Sequence, residues 1–334
     1  MSRIFLHGLG AVSPAGWGVA ALREALDKNV PLPVQKLARP GWEKSLSVRP
    51  VPPPLLRPTF FAHPRLRRAS TMAQHTVAAA LEALGDDAAR VTAGEVRLGV
   101  IVCMMAGGVA YSRRFYEEVL REPATASPLI FPETVFNAPA SHLSAYLNSP
   151  TVNYTLVGDD GTFLQGLALA AEWLDDDVAD GCMIVGAEEM DWIVADAIRL
   201  FHRETIYAAG AGAVYLKKNR PAAVELAAIT DSFTFTNKHS RLVAAEKMES
   251  ELPAGSPSEL RCLSDVNIAP AADWTGQVIA PKPIVGEAFV ASAAWQCVAA
   301  GDALLQKKFT AANVSVVGAN QQAIGARWQR NDTI

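Results

Sequence analysis

Three features of the sequence predict an α/β fold. Apolar runs rich in β-branched residues alternate with longer stretches of helical pattern. A loop and helix of small residues, "GTFLQGLALAAEWL", recurs in kind as "GEAFVASAAWQCVAAGDALL", each a modest distance after a strand of buried character. The chain has 334 residues, 50% of them hydrophobic and 19% charged, which is ample for a large core and for two domains or one duplicated fold.

Taken in order, a first strand is read at Arg3–Val12, followed by a helix near Gly18–Leu26. Val30–Arg68 is rich in Pro and Arg, includes "VPPPLLRP", and reads as an irregular surface excursion. A helix near Ala69–Leu84 precedes the strand Val96–Met104. The uncharged run Leu98–Ser112 is too short to span a bilayer and carries Gly99, Gly107 and Gly108, so it reads as a buried strand entering a turn. Helices follow near Ser112–Leu120 and Ala140–Leu147. The strand Val152–Val157 then delivers the chain to a helix at Thr162–Leu174. Small residues there let backbones approach closely, as in helices held between two sheets. Strands at Cys182–Ala187 and Ala211–Leu216 flank a helix near Trp192–Phe201, and Lys217–Pro221 reads as the junction of two halves, 1–218 and 219–334. The second half carries strands at Val224–Thr230, Asp265–Ile268 and Val314–Val317, a loop at Met248–Ser258 and a helix near Glu287–Leu305.

Charge narrows the function. The net charge is −4, the isoelectric point is near 5.9 and the mean hydropathy is +0.14. Basic residues are scattered rather than striped, which argues against nucleic-acid binding and against docking on anionic lipid. The N-terminus "MSRIFLHGLGAVSPAG" lacks a continuous apolar segment behind a charged start, so secretion is not expected. Cys103, Cys182, Cys262 and Cys297 share no metal-type spacing and sit in apolar surroundings, as inert thiols of a reducing cytoplasm do. Neither a metal nor a cofactor is expected.

Six segments in sequence carry a resemblance: "GLGAVSPAGWG" (Gly8–Gly18), "FPETVFNAPASHLSAYL" (Phe131–Leu147), "IVGAEEM" (Ile184–Met190), "GAGAVYLKK" (Gly210–Lys218), "KPIVGE" (Lys282–Glu287) and "VVGANQQAIGARW". Each is a few apolar and glycine residues, and together, in order across the whole chain, they resemble the β-ketoacyl-ACP synthase family, the condensing enzymes of the thiolase fold. The resemblance implies a duplicated α-β-α-β-α layered fold with mixed sheets and buried central helices. In that family a cysteine at the N-terminus of a buried helix accepts an acyl chain, its thiolate stabilised by backbone N–H groups and the helix dipole. Two histidines then assist decarboxylation and stabilise the enolate.

This sequence departs from the family at each of those positions. The threonine–alanine–cysteine tip falls on Leu156-Val157-Gly158, so the nucleophile position holds Gly158. The turn that carries the first histidine reads Ile268-Ala269-Pro270-Ala271-Ala272, with Pro270 in the histidine's place. The second histidine follows a lysine by five residues, and here Lys282 leads to Glu287. The six histidines of the chain lie elsewhere, and the long loops between "GAEEM" and "GAGAV" are mostly missing. The resemblance therefore implies a catalytically silent chain-length factor, the partner of an active ketosynthase in a heterodimer that meets an acyl carrier protein. Many chain-length factors place glutamine at the cysteine position, a pattern that Gly158 does not follow.

Individual residues carry two readings each. Asp159 and Asp160 at a helix start read as N-caps and dipole partners, or as acid/base groups facing a small pocket. Glu287 with Lys282 reads as a buried ion pair in place of the lost histidine's network, or as part of a decarboxylase or hydrolase site. Met104, Met105 and Ala106 match the family segment that lines the acyl pocket, and core packing explains methionines there equally well. Phe131, Phe136 and Asn137 fall in the segment that the family places at its dimer contact, as tunnel gates or as plain interface. Glu188 and Glu189 match a family position and read as structural hydrogen-bond acceptors, and Trp173, Trp192, Trp274 and Trp295 as core or interface aromatics.

Overall fold

A computed structural model describes residues 3–150, 152–264 and 274–331. In chain order, β1 (Ile4–Ser13) and the short β2 (Gly16–Trp17) lead into α1 (Val19–Lys28), then β3 (Gln35–Leu37) and β4 (Leu46–Arg49). α2 (Thr71–Leu84), α3 (Asp87–Thr92), β5 (Leu98–Met104), α4 (Val109–Arg121) and α5 (Ala138–Tyr146) follow. β6 (Asn153–Val157), α6 (Thr162–Asp175), β7 (Gly181–Glu188), α7 (Trp192–Phe201), β8 (Tyr207–Ala208) and β9 (Gly210–Lys218) complete the first half. The second holds β10 (Val224–Ile229), β11 (Phe233–Thr234), α8 (Lys238–Glu251), β12 (Glu259–Leu263), β13 (Gln277–Ile279), α9 (Pro281–Val285), α10 (Phe289–Leu305), β14 (Ala311–Val317) and β15 (Gln322–Arg330).

The strand order β13-β12-β14-β15-β10-β1-β9-β7-β5-β6 contains one motif twice. In one half β6, β5 and β7 are parallel while β9 and β1 run antiparallel. In the other, β13, β12 and β14 are parallel while β15 and β10 run antiparallel. The two sets join through the antiparallel pair β1–β10, with Phe5 opposite Glu225.

Alternation along the strands assigns the layers. Ile101 and Cys103 of β5 and Ile184 of β7 join the core around α6 and α10, together with Leu260, Val314 and Trp328 from the second half. Their neighbours Val100, Val102 and Met104 point the other way, into a core with α2 and α5. α8 covers the outer face of β14 and β15 through Ala244, Ala245 and Met248. The result is helix, sheet, central helices, sheet, helix, as the resemblance implies. Small residues make the central layer feasible: a Cβ on Gly186 would lie 2.7 Å from the Val290 carbonyl oxygen, and one on Gly212 would lie 2.7 Å from the Ala294 methyl.

The sequence reading needs four corrections. Val30–Arg68 is no mere excursion, because β3 and β4 form a sheet with β8, and Leu46, Val48, Phe60 and Leu66 are buried. β4 is held by a partner far along the chain, Val48 opposite Tyr207, which local pattern does not reveal. α8 and β12 were not expected, and α8 takes up the start of the loop read at Met248–Ser258, fixed by a capping box between Asn237 and Ser240. The last glycine–asparagine loop shrinks to 318–321 between β14 and the long β15. The helix read from Glu287 starts at Phe289, because Glu287 is tied to Ile206 and Ala208 by its own N–H and carbonyl. The expected strand Asp265–Ile268 and the turn with Pro270 lie outside the described residues.

Candidate functional site

β6 ends the sheet and brings the chain to Gly158, whose N–H donates to the Met104 carbonyl at 3.1 Å. Asp159 and Asp160 follow, both buried, and α6 begins just after Gly161. The capping expected of these carboxylates is not found: the start of α6 has no side-chain cap. Asp159 instead anchors a neighbouring loop. Its Oδ2 accepts from the N–H of Gln321 at 2.9 Å and of Asn320 at 3.4 Å, and its Oδ1 accepts from Gly161 N at 3.2 Å. Burial, reinforced by the charge of Asp160, holds the Asp159 carboxyl above the usual carboxylate range.

That loop closes over Gly158. The Gln321 side chain accepts from Asp159 N at 3.1 Å through Oε1. A Cβ placed on Gly158 would lie 2.3 Å from Thr162 Oγ1 and 3.0 Å from Gln321 Oε1. Gly318 is required for the same contact, since a Cβ there would lie 1.9 Å from Asp159 Oδ2. The position at the head of α6 is thus both empty of a side chain and crowded by its neighbours.

Asp160 turns to the short helix α9 that precedes the other central helix. Its Oδ2 pairs with Lys282 Nζ, and the same ammonium lies 2.6 Å from Glu287 Oε2. Glu287 Oε1 accepts from Phe289 N at 2.8 Å. Burial disfavours the Lys282 charge, but the two carboxylates outweigh it and raise its pKa. Burial raises the Glu287 carboxyl, with Lys282 opposing and Asp160 adding to the rise. The ion pair read from the sequence is therefore present, enlarged by Asp160. These three residues line a cavity of about 580 Å³, which Arg49, Arg241 and His202 also reach. Sequence reasoning singled out none of those last three.

Glu188 and Glu189 support the neighbouring turn. Glu188 accepts from Met105 N at 2.5 Å and Ala106 N at 3.2 Å, and Glu189 accepts from Ala110 N at 2.6 Å. Burial pushes their carboxyls up to about 8 and about 7. Met104 is fully buried in the layer with α2 and α5, while Met105 and Ala106 pack against the central core. Phe131 and Phe136 are 54% and 45% exposed, and Asn137 is exposed beside them. Tyr154 and Val157 of β6, whose edge away from β5 pairs with no strand among the described residues, are each 53% exposed, and α4 buries none of its residues.

The chemistry open to the site is restricted. Cys103, Cys182, Cys262 and Cys297 are buried, and burial raises every one of their thiols, Cys182 to about 12. No group of three or more His, Cys, Asp or Glu side chains among the described residues could hold a metal ion. No helix among them is long and apolar enough to cross a membrane.

No protein-family profile and no curated protein sequence matches the chain. Solved structures do. A type II polyketide synthase acyl carrier protein in complex with its ketosynthase (AntDE:AntF) matches at 15% identity and TM-score 0.79, over 98% of this chain and 99% of that one. The ishigamide ketosynthase/chain length factor matches at 15% identity and TM-score 0.74, over 98% and 99%. A β-ketoacyl synthase from Burkholderia phymatum STM815 matches at 14% identity and TM-score 0.76, over 99% and 100%. At these identities the likeness establishes the fold: this chain has the thiolase-like fold of ketosynthases along its whole length.

Proposed function

We propose that the chain is a non-catalytic ketosynthase-like subunit, a chain-length factor, which pairs with an active β-ketoacyl-ACP synthase and shapes its acyl tunnel. The carrying observation is Gly158: the family's nucleophile position has no side chain, and Thr162 and Gln321 stand where one would go. Lys282, Asp160 and Glu287 form a salt-bridged cluster at the second histidine's position, in which each carboxylate is paired with the shared ammonium.

The partner surface is the β6 edge with α4 and the segment 129–137. A strand edge without a partner among the described residues, beside exposed Phe131, Phe136, Tyr154 and Val157, is the kind of surface that another chain covers. An acyl carrier protein is reached through the complex, in a cytoplasmic polyketide, aryl-polyene-like or fatty-acid-like pathway. The two halves divide at 218/219, which the repeated strand motif supports. Co-expression with a tagged ketosynthase that retains cysteine and both histidines should yield a heterodimer. A soluble homodimer that condenses or binds acyl groups covalently on its own rejects the reading. Enlarging Ala106 or shrinking Phe136 should shift product length; no shift from either removes them as gates.

A second reading is a repurposed enzyme of this fold, a decarboxylase or hydrolase using Asp159, Asp160 or Glu287, or a homodimeric acyl-binding protein. It is favoured by the cavity that Asp160 and Glu287 line. Glu287→Gln should abolish turnover under this reading and leave product formation by the complex largely intact under the first.

A further inference from the structure

Segment 129–137, which leads from α4 into α5, is inverted with respect to water. Leu129, Phe131, Val135 and Phe136 are exposed, while Glu133, its only charged residue, is 7% exposed. Apolar side chains gain nothing from water, and a carboxylate loses its hydration when it is buried. Both costs fall on one short stretch, so its orientation is fixed by something stronger.

Glu133 supplies the fixing contacts. Its Oε2 accepts from Ser70 N at 2.9 Å, at the residue that caps α2. Its Oε1 accepts from His142 Nε2, on α5, at 2.6 Å. Burial acts to raise the Glu133 carboxyl pKa, but the bonds from His142 and Ser70 outweigh it and hold the group below the usual carboxylate range. The clamp is thus an anion held by two donors, on helices that belong to the outer core. The turn after β5 receives the rest of the segment. A Cβ on Gly108 would lie 2.6 Å from the Glu133 carbonyl oxygen, and one on Gly107, at φ 68, would lie 2.4 Å from the Phe136 ring. The Phe131 ring leans on Phe115 of α4, their centroids 5.5 Å apart.

We propose that Glu133 is the positioning residue of the partner surface: its clamp on α2 and α5 holds Leu129, Phe131, Val135 and Phe136 outward as one apolar face for the companion ketosynthase. This inference rests on the chain-length-factor reading, and the two can fail separately.

The test is hydrogen–deuterium exchange over 129–137 in the full chain, paired with the dissociation constant for a co-expressed, tagged ketosynthase. Glu133→Gln keeps the shape and removes the charge. His142 Nδ1 is enclosed and has no hydrogen-bond partner among the described residues, so His142→Phe removes only the Nε2 contact. Exchange over 129–137 should rise about tenfold in both variants, the loss expected for one charge-assisted contact, with α6 and α10 unchanged. His142→Gln, which keeps a donor, should stay near the parent. The dissociation constant should rise by a similar factor in the first two variants and be restored in His142→Gln, a rescue that a general loss of packing would not give. Exchange unchanged in both Glu133→Gln and His142→Phe overturns the clamp, whatever the ketosynthase does. Raised exchange with affinity kept overturns the role of the clamp in binding. A parent chain that binds no ketosynthase rejects the chain-length-factor reading and this face with it, while the exchange data still report whether Glu133 holds the segment.

Discussion

Gly158→Cys restores the family's nucleophile on paper, and the structure says what it would do. The new Cβ would sit 2.3 Å from Thr162 Oγ1 and 3.0 Å from Gln321 Oε1. Thr162 must rotate in the first turn of α6, and Gln321 must give up the N–H of Asp159, which it accepts at 3.1 Å. Overpacking of this kind costs about 1–3 kcal/mol. With an unfolding entropy of about 2.1 cal/mol/K per residue, a chain of 334 residues should lose roughly 1–4 °C in Tm. Differential scanning calorimetry reads that fall. Thr162→Ala in the same chain should recover much of it, because it removes the nearer contact. Acylation is the second readout: intact-mass spectrometry after exposure to acyl-ACP should show no acyl adduct on either variant, since the thiol would stand beside Asp159 and Asp160 with no histidine at 287. A Gly158→Cys chain as stable as the parent, or one that takes up an acyl group, refutes the argument that the site is both crowded and silent.

Other outcomes follow from the same geometry. Lys282→Met strands Asp160 and Glu287 without their shared cation and should cost about 3–5 kcal/mol at neutral pH, measured by denaturant unfolding. Glu188 and Glu189 have folded-state pKa values raised to about 8 and about 7, so their contribution to stability is fully present below pH ~4.5 and is lost as pH rises toward 8. Tm should therefore decline across that window, and Glu188→Gln should flatten the decline. Val157→Lys, on the exposed β6 edge, should change Tm by less than about 1 °C while sharply reducing recovery with a tagged ketosynthase; unchanged recovery would move the interface elsewhere.

Much of the fold was legible because its signals are local. The alternation in β5 and β7 and the small residues of α6 and α10 each report a layer without knowledge of a partner. α8 and β15 were missed for the opposite reason. α8 carries charged residues around much of its surface and buries only Ala244, Ala245 and Met248. β15 ends with Arg327, Gln329 and Arg330 around the buried Trp328, and its strand form is fixed by pairing with β14 and β10. At the site, Gly158 and Glu287 could be read from motif position. Arg49 could not, since it lies in a proline-rich stretch whose burial depends on β8 and α9.

The sequence by itself determined which chemical groups stand at the head of α6 and five residues beyond Lys282: a glycine and a glutamate, with no thiol and no imidazole. It also determined that two helices are narrow enough to lie between sheets. Only the tertiary structure decided that Asp160 meets Lys282 across 122 residues, that Gln321 reaches over Gly158, and that Arg49 opens on their cavity. Residue type is written locally, but an ion pair or a steric contact exists only at a few ångströms. Those few ångströms are set by how closely α6, α10 and the loop after β14 are allowed to pack.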